Sequence, residues 1–177
     1  RGDIGFTHKG LSGPGILDFS RNILSGDQLR INFVDDKADN FRNTLIAASE
    51  KEGKTAIQTY LKKFDLPRSL LLLVLKSISI EPETRLAEIT KIQRNQLVAA
   101  FCEFPFVVEK VGGFNMAMAT AGGVSLAEVN PRTMESKLVP GLFFAGEVLD
   151  FDGDTGGYNL QAAFSTGYLV GLGVSKL

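Results

Sequence analysis

The sequence predicts an α+β fold in which a helical bundle lies between β elements and a further strand, loop and helix follow. Apolar and polar residues alternate with period two at Leu29–Val34 and again from Phe106, which is typical of half-buried strands. Between these stretches apolar residues recur at i, i+3 and i+4, the spacing of amphipathic helices. We therefore expect a β-rich domain over residues 1–118, with β elements at about 1–34 and 105–118 and a helical subdomain at about 36–104, and a separate C-terminal segment over 119–177.

The chain begins with a predicted strand around Ile4–Thr7, followed by a glycine-rich turn. Ser12 is a candidate N-cap for a helix that has Pro14 in its first turn. The clustered glycines here follow no apolar strand and are interrupted by Pro14, so we reject them as a dinucleotide-binding fingerprint.

Helices are predicted throughout the region after Val34, and no metal-ligand cluster stands out in it. Cys102, at the end of the last helix, is expected to be a small core residue rather than a redox thiol. The predicted features are a cap at Asp39 with Phe41, Leu45 and Ala48 on one face, a second face at Ile57, Tyr60, Leu61 and Phe64, a helix start at Pro67 that leaves Leu70–Leu75 buried on most sides, and a capping box at Thr90–Gln93.

A β-hairpin is predicted after the helices. Its strands would be Phe106–Val111 and Phe114–Ala119, joined by a turn at Gly112–Gly113. Directly after it, the glycines of Ala121–Gly123 indicate a close approach of two backbone segments.

The C-terminal stretch reads as a strand, a loop and a helix. Leu142–Ala145 is an apolar run bounded by glycines, and Leu160, Ala163, Phe164 and Gly167 form a narrow face that can pack on a sheet. Gly156–Gly157 precede the helix, whose first N–H groups lack internal partners and can bind an anion or an electron-rich ring edge. On spacing alone, the alternative that these glycines only form a tight turn stays open.

The amino-acid composition excludes several classes of protein. The 177 residues are 44% hydrophobic and 22% charged, which is enough to bury a core and unlike a disordered chain. A net charge of −1 lacks the electrostatic footprint of a nucleic-acid binder, so no nucleic-acid partner is expected. A single cysteine excludes an internal disulfide and is compatible with a cytoplasmic protein, and the longest apolar run is too short to cross a membrane.

Several short blocks carry a family resemblance. Gly146–Glu147 followed by Gly156–Gln161 resembles the C-terminal flavin-binding segment of bacterial flavoproteins with two dinucleotide-binding, Rossmann-like folds. These are described as BaiN-type or YhiN-like NAD(P)/FAD-dependent oxidoreductases, and also as aminoacetone oxidase family FAD-binding proteins. The resemblance extends to Phe6–Pro14, Thr120–Val124 and Asn130–Lys137, whereas about 35–104 matches only in helical character and length.

The resemblance implies that this chain is the C-terminal part of a longer flavoprotein, cut inside an inserted domain. In the family a glycine-rich turn well upstream holds the ADP half of FAD, so the N-terminal half of the same protein is the expected partner. Residues 1–118 would then be the insert domain, and 119–177 the last segment of a split FAD-binding domain. The chain alone is expected to bind FAD weakly or not at all and to have no turnover, and its last helix could self-associate through its apolar face.

The resemblance also implies site residues. FAD would carry the redox step with NAD(P)H as reductant, acting on a small-molecule substrate, and no metal is expected. Glu147 would bond the ribityl or pyrophosphate region, and backbone N–H groups of the last helix would face the N1/O2 edge of the isoalloxazine ring. The cofactor-binding set is Gly146, Glu147, Asp154, Gly156, Gly157, Tyr158, Asn159 and Leu160, and the substrate-side set is Thr7, Ser12, Thr120, Gly122 and Gly123.

His8 is the single histidine and the candidate for catalytic proton transfer near pH 7. The alternative that His8 only caps or pins its loop stays open. Two other functions also stay open at this point: a flavoprotein that acts on RNA through the helical insert, and a cofactor-free α+β binding module.

Overall fold

A computed structural model describes residues 2–175 of the chain as two compact units. The terminal unit takes in the described residues up to Ser25 and from Lys110 onward, and the central unit is Gly26–Glu109. The structure thus groups the first residues with the C-terminal part of the chain. The predicted boundary between an insert domain at 1–118 and a cofactor domain at 119–177 concerns the architecture of the family, and it stays a prediction.

The described residues form short strands and helices of very different length. The strands are β1 (Gly5–Thr7), β2 (Gly10–Ser12), β3 (Gln28–Ile31) and β4 (Phe104–Val107). The α-helices are α1 (Pro14–Leu17), α2 (Ala38–Lys51), α3 (Ile57–Leu61), α4 (Arg68–Ser77), α5 (Lys91–Cys102) and α6 (Tyr158–Val174). Among these residues, no helix is long and apolar enough to cross a membrane.

The central unit holds one two-stranded antiparallel sheet, in which Leu29 of β3 pairs with Phe106 of β4. The predicted strand at Leu29–Val34 is confirmed over its first residues, with Ile31 buried. The predicted hairpin over 106–119 is wrong, because β4 pairs with β3, and Phe114–Met116 is a short 3-10 helix. Gly113 has φ −84°, whereas a two-residue hairpin turn of type I′ needs positive φ at both central positions.

The core of the central unit confirms the predicted helix faces. Phe41, Leu45 and Ala48 of α2 are buried, as are Ile57, Tyr60 and Leu61 of α3. The ring of Phe41 lies edge-on to that of Phe64, with 5.4 Å between the ring centroids. Burying such side chains fully contributes about 1.5–3 kcal/mol each, so this contiguous cluster holds the helices together.

The starts of these helices agree only in part with the predictions. The capping box is confirmed, since the Gln93 N–H donates to Thr90 Oγ1 over 3.2 Å and the Thr90 N–H donates to Gln93 Oε1 over 3.0 Å. The Asp39 cap is wrong, because Lys37 is the N-cap and Asp39 lies in the first turn, where its charge still favours the helix. Helix α4 starts as predicted after Pro67, although Leu73 is 62% exposed within the run expected to be buried.

In the terminal unit, β1 and β2 form a small antiparallel hairpin that confirms the predicted first strand. Ser12 ends β2 rather than capping α1, and Gly13 takes the cap position with φ 90°. A Cβ at Gly13 would lie 2.7 Å from the Asp3 carbonyl oxygen. The close approach and the left-handed backbone together select glycine at this cap.

The strand predicted at Leu142–Ala145 is wrong in this chain. Phe143 makes one isolated antiparallel bridge with Glu135, and Gly146–Val148 follows as a 3-10 helix. A strand needs a continuous ladder with a neighbour, and the apolar run finds only the short segment around Glu135. A small buried cluster of Val129, Met134 and Leu149 packs beside it.

Candidate functional site

The start of α6 is open. Gly156 and Gly157 both have positive φ, 139° and 87°, which L-residues with a side chain rarely adopt. A Cβ at Gly157 would meet no atom within 4 Å, so the backbone there is open to a ligand. The first bond of the helix runs from the Gln161 N–H to the Gly157 carbonyl over 3.0 Å, which leaves the three preceding N–H groups without a helical acceptor.

The side chain of Asn159 faces back to the loop that precedes the helix. Its Oδ1 accepts from the Gly153 N–H over 2.7 Å, and its Nδ2 donates to the Gly153 carbonyl over 3.0 Å. Of the predicted cofactor contacts of Asn159, only the backbone N–H is therefore available to a ligand. The side chain holds the loop against the first turn of α6.

Arg21 holds the same loop from its other side. Its guanidinium pairs with Asp152 Oδ2 at 3.0 Å and with Asp154 Oδ1 at 3.1 Å, and it also donates to the Asp152 carbonyl over 3.1 Å. Asp154, predicted as a cofactor contact, thus has one carboxylate oxygen committed to Arg21. Its role toward a cofactor stays a prediction.

Asp18 adds a further tie to this loop. Asp18 Oδ1 accepts from the Thr155 N–H over 2.6 Å, and hydrogen bonds from the Thr155 side chain and backbone, with help from the Arg21 charge, lower the pKa of Asp18. Sequence reasoning missed both Asp18 and Arg21. Their partners lie more than 130 positions away, and no local pattern marks such a pair.

Glu147 and Thr120 come together although 27 positions separate them. Glu147 Oε1 accepts from the Thr120 N–H over 2.8 Å and from Thr120 Oγ1 over 3.2 Å. The preceding residue, Gly146, has φ 75°, and its N–H donates to Thr166 Oγ1 of α6 over 3.0 Å. One predicted cofactor residue and one predicted substrate-side residue therefore share a hydrogen-bonded contact beside α6.

The close approach predicted for Ala121–Gly123 is confirmed at Gly123. A Cβ at Gly123 would lie 2.5 Å from the Val148 carbonyl oxygen, and Val124 forms a parallel bridge with Leu149. Gly122 has φ 92° and no atom within 4 Å of its Cβ position, so its backbone is open in the same way as that of Gly157.

The remaining predicted residues lie on the β1–β2 hairpin. His8 is exposed at its turn, and Thr7 Oγ1 donates to the Gly10 carbonyl over 2.9 Å and accepts from the Lys9 N–H over 3.2 Å. Ser12 pairs with Gly5 across the hairpin. Thr7 thus stabilises the turn that carries His8, and the catalytic and substrate-side roles of these residues stay predictions. Among residues 2–175, His, Cys, Asp and Glu side chains form no group that could hold a metal ion.

One apolar face of α6 is uncovered, whereas Leu169 and Val170 pack against the small cluster of Val129, Met134 and Leu149. Leu160, Phe164 and Tyr168 are 66%, 73% and 70% exposed and follow one another at i, i+4 and i+8. At Gly167 and Gly171 a Cβ would meet no atom within 4 Å. A continuous stripe of large exposed apolar side chains on a helix marks a surface that another element covers.

The start of α6 and the two segments beside it indicate a class of ligand-binding protein. A helix start bared by left-handed glycines, with a second open glycine loop and an acid placed beside the same helix, is suited to proteins that bind a nucleotide or another anionic ligand at a helix N-terminus. The chain belongs to the family described as HI0933-like protein Rossmann domain, which matches residues 46–173. This family comprises flavoprotein oxidoreductases, and the resemblance read from the sequence is confirmed.

Three curated relatives match most of the chain. A ribosomal RNA dihydrouridine synthase of Haemophilus influenzae is 33% identical over 97% of this chain and 42% of its own length. The 3-dehydro-bile acid delta(4,6)-reductase of Clostridium scindens is 32% identical over 96% of this chain and 43% of its own length. A ribosomal RNA dihydrouridine synthase of Escherichia coli is 32% identical over 95% of this chain and 41% of its own length. The chain therefore spans less than half the length of these relatives.

Proposed function

We propose that this chain is the C-terminal part of an FAD-dependent oxidoreductase and that it holds the isoalloxazine and ribityl end of the cofactor. The observation that carries the proposal is the open, left-handed backbone at Gly157 ahead of the unpaired N–H groups of α6. The residues fit the group, because a flat ring edge needs backbone that no Cβ covers, and Gly157 and Gly122 both provide it.

The amides of Tyr158, Asn159 and Leu160 would donate to the N1/O2 edge of the flavin. A helix N-terminus stabilises nearby negative charge by about 0.3–1 kcal/mol, and by more where the contact is buried. Both hydrogen bonds from Thr120 reach Glu147 Oε1, and we assign Oε2 to a ribityl hydroxyl. Bound FAD would supply the two-electron redox chemistry, with NAD(P)H as reductant.

The names of the relatives favour one substrate chemistry. Dihydrouridine differs from uridine by hydrogen added across a ring carbon–carbon double bond, and a delta(4,6)-reductase is named for acting on such bonds. We infer that the full-length protein saturates a carbon–carbon double bond, and we take a small molecule as its first substrate candidate because of the name of the bile acid reductase. Thr7, Ser12, Thr120, Gly122 and Gly123 would lie on the substrate side, and His8 would transfer the proton.

The uncovered stripe of α6 fits a partner from the same protein. The chain covers 41–43% of the relatives' length, and a Rossmann-type helix packs its apolar face on a sheet. We assign the stripe of Leu160, Phe164 and Tyr168 to the sheet of the N-terminal half of the full-length protein. That half would also hold the ADP end of FAD.

The test of the flavin site is Gly157→Val in the full-length protein, purified without added flavin. Gly26→Val is a matched control, because Gly26 has φ 94° and equally open surroundings but lies in the central unit. Backbone strain is then similar in both variants. We expect flavin absorbance in the wild type and the control and a loss of most bound flavin in Gly157→Val. Equal flavin content in both variants would refute the assignment of α6.

A second candidate function is a reaction on RNA, which the names of two relatives favour. The central unit carries equal numbers of acidic and basic residues, so its charge alone gives no strong attraction to phosphates. The two candidates are separated by offering the full-length holoenzyme ribosomal RNA or small unsaturated carbonyl compounds and following NAD(P)H consumption. Oxidation of NAD(P)H that depends on RNA alone would favour the second candidate.

A further inference from the structure

Two negative charges lie directly ahead of the helix start that is proposed to bind flavin. Asp152 and Asp154 flank Gly153, and Gly153 is hydrogen-bonded to Asn159 in the first turn of α6 over 2.7 and 3.0 Å. Carboxylates so close to the first turn attract its N–H groups and repel an anionic ligand. A site that stabilises negative charge on a bound ring therefore needs a countercharge at this place.

Arg21 supplies that countercharge. Its guanidinium reaches Asp152 Oδ2 at 3.0 Å and Asp154 Oδ1 at 3.1 Å. The Arg21 and Asp152 side chains are 36% and 30% exposed and so partly shielded from water, whereas Asp154 is 69% exposed. The three side chains together carry one negative charge, and removal of Arg21 would leave two. The guanidinium fork also donates to the Asp152 carbonyl over 3.1 Å, which fixes the loop in one position.

We propose that Arg21 is an electrostatic positioning residue for the flavin, a role that rests on the proposed function. By pairing with Asp152 and Asp154, Arg21 keeps the start of α6 able to stabilise the more negative, reduced cofactor. The pairing of Arg21 with the two acids changes the stability of reduced flavin relative to oxidised flavin. It is not expected to change the affinity for both forms equally. Neither the family pattern nor any local motif marks Arg21. The residues of the central unit separate it from Asp152 and Asp154 along the sequence.

Removal of the Arg21 charge should lower the midpoint potential of the bound flavin. In Arg21→Ala the carboxylates of Asp152 and Asp154 lose their countercharge, so the reduced form loses stability relative to the oxidised form and the midpoint potential falls. For one solvent-screened charge near a helix N-terminus the preference for reduced flavin should drop about two- to fivefold. For a two-electron couple this is a shift of about 10–20 mV to more negative potential.

The experiment measures the midpoint potential of bound flavin in the full-length protein by a spectroscopic redox titration with a reference dye. Arg21→Ala is compared with Arg30→Ala, which removes an ion pair with Glu103 of similar length, 3.1 Å, but greater exposure in the central unit. Arg21→Lys keeps the charge. We expect a lower potential for Arg21→Ala at low salt, a smaller shift at 1 M salt, where the Debye length is about 3 Å, and little change for the other two variants.

A triple variant, Arg21→Ala with Asp152→Asn and Asp154→Asn, separates charge from loop anchoring. Its potential should rise to at least the wild-type value, since the three positions then carry no charge in place of one negative charge, while the anchor is still missing. If the triple variant keeps the low potential, Arg21 acts only as an anchor and the proposal is overturned. An unchanged potential in flavin-loaded Arg21→Ala overturns it as well. A wild type that binds no flavin overturns the proposed function together with this inference.

Discussion

The Asn159 side chain satisfies both backbone polar groups of Gly153, with distances of 2.7 and 3.0 Å. This pair of bonds joins the acidic loop to the first turn of α6, so that loop and helix start form one structural piece. The sequence block Gly156–Gln161 that carries the family resemblance contains this asparagine. In the structure its side chain fixes the loop, and its backbone N–H is left without a helical acceptor for the proposed contact with the flavin.

Replacing Asn159 should loosen the loop. Asn159→Ala removes both bonds to Gly153, and each contributes about 0.5–1.5 kcal/mol. We expect faster backbone hydrogen exchange in peptides that cover residues 150–160, measured by mass spectrometry. Asn43→Ala, an exposed position in α2, is the control and should leave these peptides unchanged. Unaltered exchange over 150–160 in Asn159→Ala would show that the loop does not depend on these bonds.

Cys102 should make stability depend on alkaline pH. Burial, followed by the nearby negative charges of Asp36 and Glu103, raises the pKa of the Cys102 thiol from 9.0 to about 11. The folded state therefore favours the neutral thiol. The stabilisation is fully present below pH 9 and is lost as the pH rises from 9 through about 11, where the unfolded chain ionises first.

The measurement is the free energy of unfolding by urea at pH 7 to 11, for the wild type and Cys102→Ala. The wild type should lose more stability than the variant above pH 9, although Cys102→Ala starts from a lower value because it leaves a small cavity. Parallel pH curves would contradict the raised pKa. Buried Cys102 should also resist alkylation at pH 8 until urea is added, consistent with the predicted core role that the structure confirms.

The uncovered face of α6 should make the isolated chain associate with itself. Phe164 is 73% exposed in the middle of the stripe, so Phe164→Lys should weaken the association and shift the sedimentation profile toward the monomer. Phe114→Lys is the control, because Phe114 is 87% exposed but lies outside α6. In the full-length protein, Phe164→Lys should instead lower stability or flavin content. Equal effects of both lysine variants would argue against a specific role for the stripe.

Local sequence patterns predicted the helical part of the central unit well. The faces at Phe41–Ala48 and Ile57–Leu61 and the capping box at Thr90 depend on residues at most a few turns apart, so short-range spacing is sufficient to find them. The pairing of β3 with β4 spans more than 70 residues. A local turn signal at Gly112–Gly113 therefore predicts a hairpin that the chain does not form.

The candidate site also combines features that local sequence predicts with contacts that only folding creates. Gly156 and Gly157 were recognised because an unusual backbone conformation selects a residue type at its own position. The contact of Glu147 with Thr120, and the ties of Arg21 and Asp18 to the acidic loop, require side chains that folding brings together from distant segments. No spacing rule along the chain contains that information.

The family, the helical periodicity and the glycines at the start of the last helix can be predicted from the order of the amino acids, because each depends on residues that are close along the chain. Strand pairing, the neutralisation of the acids and the exposure of one apolar face arise only when the chain folds. These are contacts between distant segments, and their free energies depend on distance in space, which no local pattern encodes.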